Sequence, residues 1–160
     1  LKIEEEIHQI FIEKKLTLSL AESCTGGACA ARLTALPGSS EYFFGSIVAY
    51  HNSLKKKVLS VSEQTLKEKG AVSPETAREM VMGLLHLTQS DYGVAVTGIA
   101  GPSGGTLEKP VGTIWGAICR KGDEPFVWKM MVEGPRKKII EVSVDDLLNQ
   151  LLKYVKANES

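Results

Sequence analysis

Three short apolar runs, LTLSL (16–20), FFGSIVAY (43–50) and YGVAV (92–96), alternate with stretches whose apolar residues recur at helical spacing. Strands separated by helices are the pattern of βαβ units and a largely parallel sheet, so this alternation narrows the possible folds sharply. IEEEIHQIFIEKKL (3–16) carries Ile3, Ile7, Ile10, Phe11 and Leu16 on one stripe and reads as an amphipathic helix. A helix is expected from about Thr25 to Leu36-Pro37-Gly38, where Pro and Gly stop it. Its small residues, among them Ala28, Cys29 and Ala31, allow it to lie close on a sheet. NSLKKKVL (52–59) reads as a helical turn with Leu54 and Val58 facing the core and Lys55 flanking them. SEQTLKEKG (62–70) is a short capped helix, and SPETAREMVMGLLHLTQ (73–89) is the clearest helix, with Ser73 as cap and Pro74 at the first helical position. VGTIWGAICR (111–120) and PFVWKMMVE (125–133) form a hairpin around KGDE. A last helix runs from about Arg136 to Val155, with Ile139, Ile140, Val144, Leu147 and Leu151 on its buried stripe. The order predicts a three-layer α/β/α sandwich whose sheet is mixed, mostly parallel, with one antiparallel strand.

The 160 residues are expected to form one domain, 1–160, long enough for a real core. Formal net charge is zero, which argues against a nucleic-acid partner, since such proteins usually carry a basic excess or face. No apolar run approaches the ~20 residues of a membrane span, and the start does not resemble a signal peptide. The first residue is Leu1, not Met, which leaves room for a trimmed product or a piece of a longer protein. The three cysteines, Cys24, Cys29 and Cys119, have no framework spacing and read as cytoplasmic thiols. His8, His51 and His86 are scattered, and no metal-ligand spacing occurs, so no metal site is expected.

In such a fold, ligands gather at the carboxyl ends of the strands. Three polar segments fall there: AESCTGG (21–27), YHNSLK (50–55) and TGIAGPSGG (97–105). In the first, Ser23 or Thr25 suits a helix cap, and Gly26 and Gly27 permit close packing. The same turn offers backbone N–H groups for an oxyanion, so Ser23 or Cys24 is also a candidate nucleophile. A serine nucleophile needs a base. G-x-S-x-G is absent; His51 is the nearest histidine, and Lys55 is the other option if burial lowers its pKa. Tyr50, at the end of the second strand, can orient that lysine or stack a ring. TGIAGPSGG supplies further N–H groups and room for a ligand, but it is neither a Walker A loop nor G-x-G-x-x-G. Arg136 can pair with a phosphate.

Taken together, AESCTGG, LPGSSEYFFGSIVAYHNSLK, GAVSPETAREM, TGIAGPSGGTLEKPVGTIW and EGPRKK resemble the C-terminal domain of the competence/damage-inducible CinA proteins, over about residues 4–155. Stand-alone relatives of that family include nicotinamide mononucleotide deamidases. The resemblance implies a three-layer fold with a mixed five-stranded sheet. It implies hydrolysis of nicotinamide mononucleotide to nicotinic acid mononucleotide and ammonia, without metal or organic cofactor, in a cytoplasmic homo-oligomer. By resemblance Ser23 is the nucleophile, Lys55 the base and Tyr50 its assistant. Thr97 and Gly98 are then expected in the substrate pocket, with Arg136 near the phosphate; from the turns they belong to, Cys24, Thr25, Gly26, Gly27, Gly101 and Gly104 are also expected at the substrate. Relatives often have Gly-Asp-Arg in the last segment and another arginine four residues on; here Gly134-Pro135-Arg136 and Ile140 stand there. Two readings rival the serine hydrolase: Cys24 as the nucleophile, and a non-catalytic nucleotide-binding or interaction domain of a larger competence/damage-inducible protein.

Overall fold

The computed structural model describes residues 1–160. Helix α1 (Ile3–Glu13) leads into strand β1 (Leu18–Glu22), then α2 (Ala28–Thr34), a 3₁₀ turn (Ser39–Glu41) and β2 (Phe43–Val48). Three helices follow, α3 (Asn52–Lys57), α4 (Glu63–Glu68) and α5 (Pro74–Thr88), before β3 (Tyr92–Gly98). The hairpin β4 (Thr113–Arg120) and β5 (Phe126–Met131) precedes the long helix α6 (Arg136–Asn158). The strands form one five-stranded sheet in the order β2-β1-β3-β4-β5. β1 pairs in parallel with β2 and β3, and β4 is antiparallel to both of its neighbours, so it alone runs against the rest. The expected α/β/α architecture and strand directions are those observed.

Side chains alternate across the strands and build two cores of different character. On one face Leu20, Val94 and Ile118 stand in register across β1, β3 and β4 and pack with residues of α1, α2 and α6. On the other face the matching row is Ala21, Ala95 and Ala117. These small residues, with Gly93, let α5 settle close to the sheet; a Cβ on Gly93 would stand 3.0 Å from the Leu85 side chain. Arg32 of α2 ties the first layer together by ion pairs to Glu4 of α1 and Asp145 of α6.

Local differences from the sequence reading have local causes. β1 begins at Leu18 rather than Leu16, because the Leu16 N–H still closes the end of α1 by donating to the Phe11 carbonyl. α2 begins at Ala28 rather than near Thr25, because Gly26 and Gly27 both take positive φ, 59° and 101°, which a helix does not tolerate. Neither Ser23 nor Thr25 caps this helix. The cap is Glu22, whose carboxylate accepts from the Cys29 and Ala30 N–H groups. On α3 the inward residue is Lys55, 1% exposed, whereas Leu54 is 41% exposed. On α6, Ile139 is buried and Ile140 only partly so, packed against the core.

Candidate active site

The carboxyl ends of β1, β2 and β3 open on one cavity of about 310 Å³, at the small end of the ~300–1,000 Å³ typical of small-ligand sites. Ser23 and Cys24 line it from the end of β1; Tyr50, Asn52 and Lys55 line it from beyond β2. Thr97 and Gly98 close β3, Gly101 and Gly104 follow on the loop, and Arg136 reaches in from the start of α6. The sheet topology thus brings nine of the expected site residues to one place, Ser23, Cys24, Tyr50, Lys55, Thr97, Gly98, Gly101, Gly104 and Arg136.

The centre of the cavity is a serine–lysine pair. Lys55 Nζ lies 2.8 Å from Ser23 Oγ, 2.9 Å from the Ala49 carbonyl oxygen and 3.1 Å from that of Tyr50. No carboxylate pairs with it. Burial pushes the Lys55 ammonium below the ordinary lysine range; ionised Cys24 would act the other way. The hydrogen-bond geometry suits both protonation states. As an ammonium, Lys55 donates to all three oxygens. As a neutral amine it has two N–H donors and one lone pair. The two carbonyls can only accept, so they take the donors, and the lone pair is left for the Ser23 hydroxyl proton.

Residues with unused backbone donors line the same cavity. The Ser23 N–H is used by the Val96 carbonyl, but the Cys24 N–H meets no acceptor in the protein, nor do those of Ala100 and Gly101 on the loop. Gly98 is required for close packing: a Cβ there would stand 2.9 Å from the Thr113 carbonyl oxygen and 2.4 Å from an Ile114 methyl. The Thr97 hydroxyl donates to the Ala71 carbonyl at 2.7 Å and so anchors the segment before α5 to the cavity. Arg136 donates to the Gly101 carbonyl and to the Tyr50 hydroxyl, both at 2.8 Å, and makes no ion pair with a carboxylate. Its charge is therefore available to an anion at the cavity rim.

Several expectations need amendment. Tyr50 meets Lys55 through its backbone carbonyl, while its half-exposed phenol meets Arg136. Thr25, Gly26 and Gly27 do not line the cavity; the Thr25 hydroxyl donates to Glu22 at 2.7 Å, and the two glycines shape the turn. The N–H groups of the α2 start are consumed by Glu22 and are not free for an oxyanion. His51 is exposed and caps α3, accepting from the Ser53 N–H, so it is not the base. Cys24 lines the cavity, but burial pushes its thiol up to about 12, which leaves it protonated at neutral pH and unsuited to attack. Cys24, Cys29 and Cys119 are all free. Pro135 is the cap residue of α6, and Ile140 packs on the core. Sequence reasoning missed Asn52, Ala71, Val72, Ile99, Ala100 and Ser103 as individual lining residues. Asn52 carried a signal, standing one helical turn before Lys55 in YHNSLK, and Ile99, Ala100 and Ser103 lie within TGIAGPSGG; Ala71 and Val72 carried none.

Known proteins share this fold. The CinA C-terminal domain family matches residues 1–155. A CinA-like protein of Desulfotalea psychrophila is 46% identical over 150 residues, 93% of this chain. One of Thermotoga maritima is 46% identical over 158 residues, 99% of this chain. The chain spans only 36% and 38% of the length of these two relatives. Among solved structures, the competence damage-inducible protein A (ComA) of Klebsiella pneumoniae superposes with a TM-score of 0.92 at 32% identity, covering 96% of this chain and 95% of that one. The competence/damage inducible protein CihA of Agrobacterium tumefaciens superposes at 0.91 and 39% identity, covering 94% of each chain.

Proposed function

Because the chain belongs to the CinA C-terminal domain family, we propose that it is an amidohydrolase that converts nicotinamide mononucleotide to nicotinic acid mononucleotide and ammonia. One observation carries the reading: a buried lysine without a carboxylate partner, its amine 2.8 Å from a serine hydroxyl at the floor of a cavity. Two carbonyls hold its N–H groups and aim its lone pair at that hydroxyl.

Lys55 in its neutral form takes the Ser23 proton as Ser23 Oγ bonds to the carboxamide carbon. The negative charge moves to the amide oxygen, and the N–H groups of Cys24 and of the Ala100–Gly101 segment are the donors that stabilise it. The intermediate collapses with cleavage of the C–N bond. The Lys55 ammonium gives its proton to the departing nitrogen, releasing ammonia and leaving an ester on Ser23. Lys55, neutral again, then takes a proton from water as the water attacks the ester, and returns a proton to Ser23 Oγ. The product is the pyridine carboxylate. Arg136 faces the phosphate in this reading, because its guanidinium has no carboxylate of its own.

The test is ammonia release from nicotinamide mononucleotide by the wild type, Ser23→Ala and Lys55→Met. Ser23→Ala is expected to be inactive, and Lys55→Met to lose about 10²- to 10⁴-fold in kcat, the usual worth of a general base. Full activity in Ser23→Ala would end the assignment of the nucleophile. Thermal stabilisation of the wild type by the mononucleotide without any ammonia would favour a binding domain instead.

A further inference from the structure

Asn52 is a polar side chain of the cavity that the mechanism above leaves unused, and the only carboxamide lining it. It is the first residue of α3, exposed at the cavity, and its side-chain amide makes no hydrogen bond to the protein, which leaves it free to meet a ligand. Apart from exposed Ser103 and the Cys24 thiol, the other polar side chains that line the cavity are engaged. Ser23 is held by Lys55, Lys55 by two carbonyls, Thr97 by Ala71, and Tyr50 and Arg136 by each other. The neighbouring α3 polar groups are also spoken for, since His51 and Ser53 bond to one another. Asn52 stands three residues before Lys55, so the two share one face of the helix, with Cβ atoms about 5–6 Å apart. Lys55 on that face reaches Ser23.

We propose that Asn52 is the residue that recognises the scissile carboxamide. The inference rests on the amidohydrolase reading and deepens it. A primary carboxamide presents one acceptor and two donors, and an asparagine side chain presents the complementary pair. Once the carbonyl oxygen sits among the backbone donors near Ser23, the amide nitrogen is the atom still without a partner. Asn52 Oδ1 accepts from that nitrogen, which orients the carboxamide plane for attack and holds the leaving group beside Lys55. An uncharged amide suits the task better than a carboxylate at this position. A carboxylate would accept as well, but it would favour the ammonium of Lys55 and repel the acid product.

That difference supplies the test. Asn52→Asp keeps the acceptor and places a charge in the first turn of a helix, where a carboxylate is tolerated. Affinities for nicotinamide mononucleotide and nicotinic acid mononucleotide are measured in the Ser23→Ala background, so that turnover does not intervene. If Asn52 faces the reacting group, Asn52→Asp weakens the acid far more than the amide, and the amide-to-acid affinity ratio rises at least about tenfold, the scale of a like-charge contact. Asn52→Ala, which removes both donor and acceptor, lowers affinity for the amide. A residue facing the ribose or acting only on the fold shifts both ligands equally, because they differ only at the carboxyl group. An unchanged ratio in Asn52→Asp, or unchanged amide affinity in Asn52→Ala, overturns the assignment while leaving the hydrolase reading intact if the wild type releases ammonia. Absence of both ammonia and mononucleotide binding overturns the two together.

Discussion

Lys55 is buried at a cost, since a charged amine loses hydration that no neighbouring carboxylate replaces. The sign of its pH effect follows from the lowered pKa. Below its folded value, Lys55 is charged in both native and unfolded states, and the burial cost is complete. Between that value and the ~10.4 of an unfolded lysine the native state holds fewer protons. Stability therefore rises as pH rises through this window. Urea midpoints followed from about pH 7 to about pH 10 are expected to show this gain in the wild type and to lose it in Lys55→Met. Activity follows the same group. kcat/KM should climb with pH and level off below ~10.4, because the neutral amine is the competent base. An acid limb set by a group titrating near the ordinary histidine value, unmoved by Lys55→Arg, would contradict Lys55 as the base. Helical spacing points to Leu54 as the inward residue of α3, and the structure selects Lys55 instead. The reason is not periodicity. Ala49 and Tyr50, just beyond β2, offer two carbonyls that the Lys55 amine satisfies, and such a pairing is invisible until the chain is folded.

Glu22 decides the geometry of the turn that presents Ser23. It is the last residue of β1, 1% exposed, and its carboxylate accepts four hydrogen bonds: from Thr25 Oγ, the Cys29 and Ala30 N–H groups, and Ser46 Oγ. One side chain thus joins β1, the start of α2 and the edge strand β2. Glu22→Ala leaves these buried donors without an acceptor, at about 1–3 kcal/mol for each that water cannot reach, so a loss of at least about 3 kcal/mol is expected in urea unfolding. Glu22→Gln keeps the shape but turns an NH₂ toward a donor, and should lose about 1–2 kcal/mol. Equal stability of Glu22→Ala and wild type would remove this account of the turn. Helix and strand types were legible from periodicity in nearly every segment, including the Ser73-Pro74 start of α5, whose Ser73 Oγ accepts from the Thr76 N–H as a cap should. The α2 start was less legible. Capping rules look for a short polar residue at the cap position, and here that position is Gly27 while the capping oxygen comes from a strand five residues earlier.

The cavity exists only because the whole sheet is assembled. Its walls come from the ends of β1, β2 and β3, and its rim from α6, which enters the fold after the β4–β5 hairpin. The convergence of AESCTGG, YHNSLK and TGIAGPSGG was readable from strand order alone, because parallel strands put their following loops on the same edge. The phosphate role of Arg136 was expected from the sequence, but its contacts were not, since its distance in sequence from Tyr50 says nothing about contact. In the structure it bridges the Tyr50 hydroxyl and the Gly101 carbonyl, joining the β2 and β3 loops across the cavity mouth. Two consequences can be separated. If Arg136 only fastens the loops together, Arg136→Ala weakens every substrate alike. If its charge meets the phosphate, the loss depends on the phosphate being present. A charge-assisted hydrogen bond is worth about 1.5–3 kcal/mol, so KM for nicotinamide mononucleotide should rise about 10- to 100-fold in Arg136→Ala. Hydrolysis of nicotinamide riboside, which lacks the phosphate, should change little. Ile140 packs on the core, so Arg136 is the one cation lining the mouth besides buried Lys55, and the increase in KM should not be masked by a second arginine. The riboside control carries the decision: a parallel loss on riboside and mononucleotide assigns Arg136 to loop closure, and a loss confined to the mononucleotide assigns it to the anion.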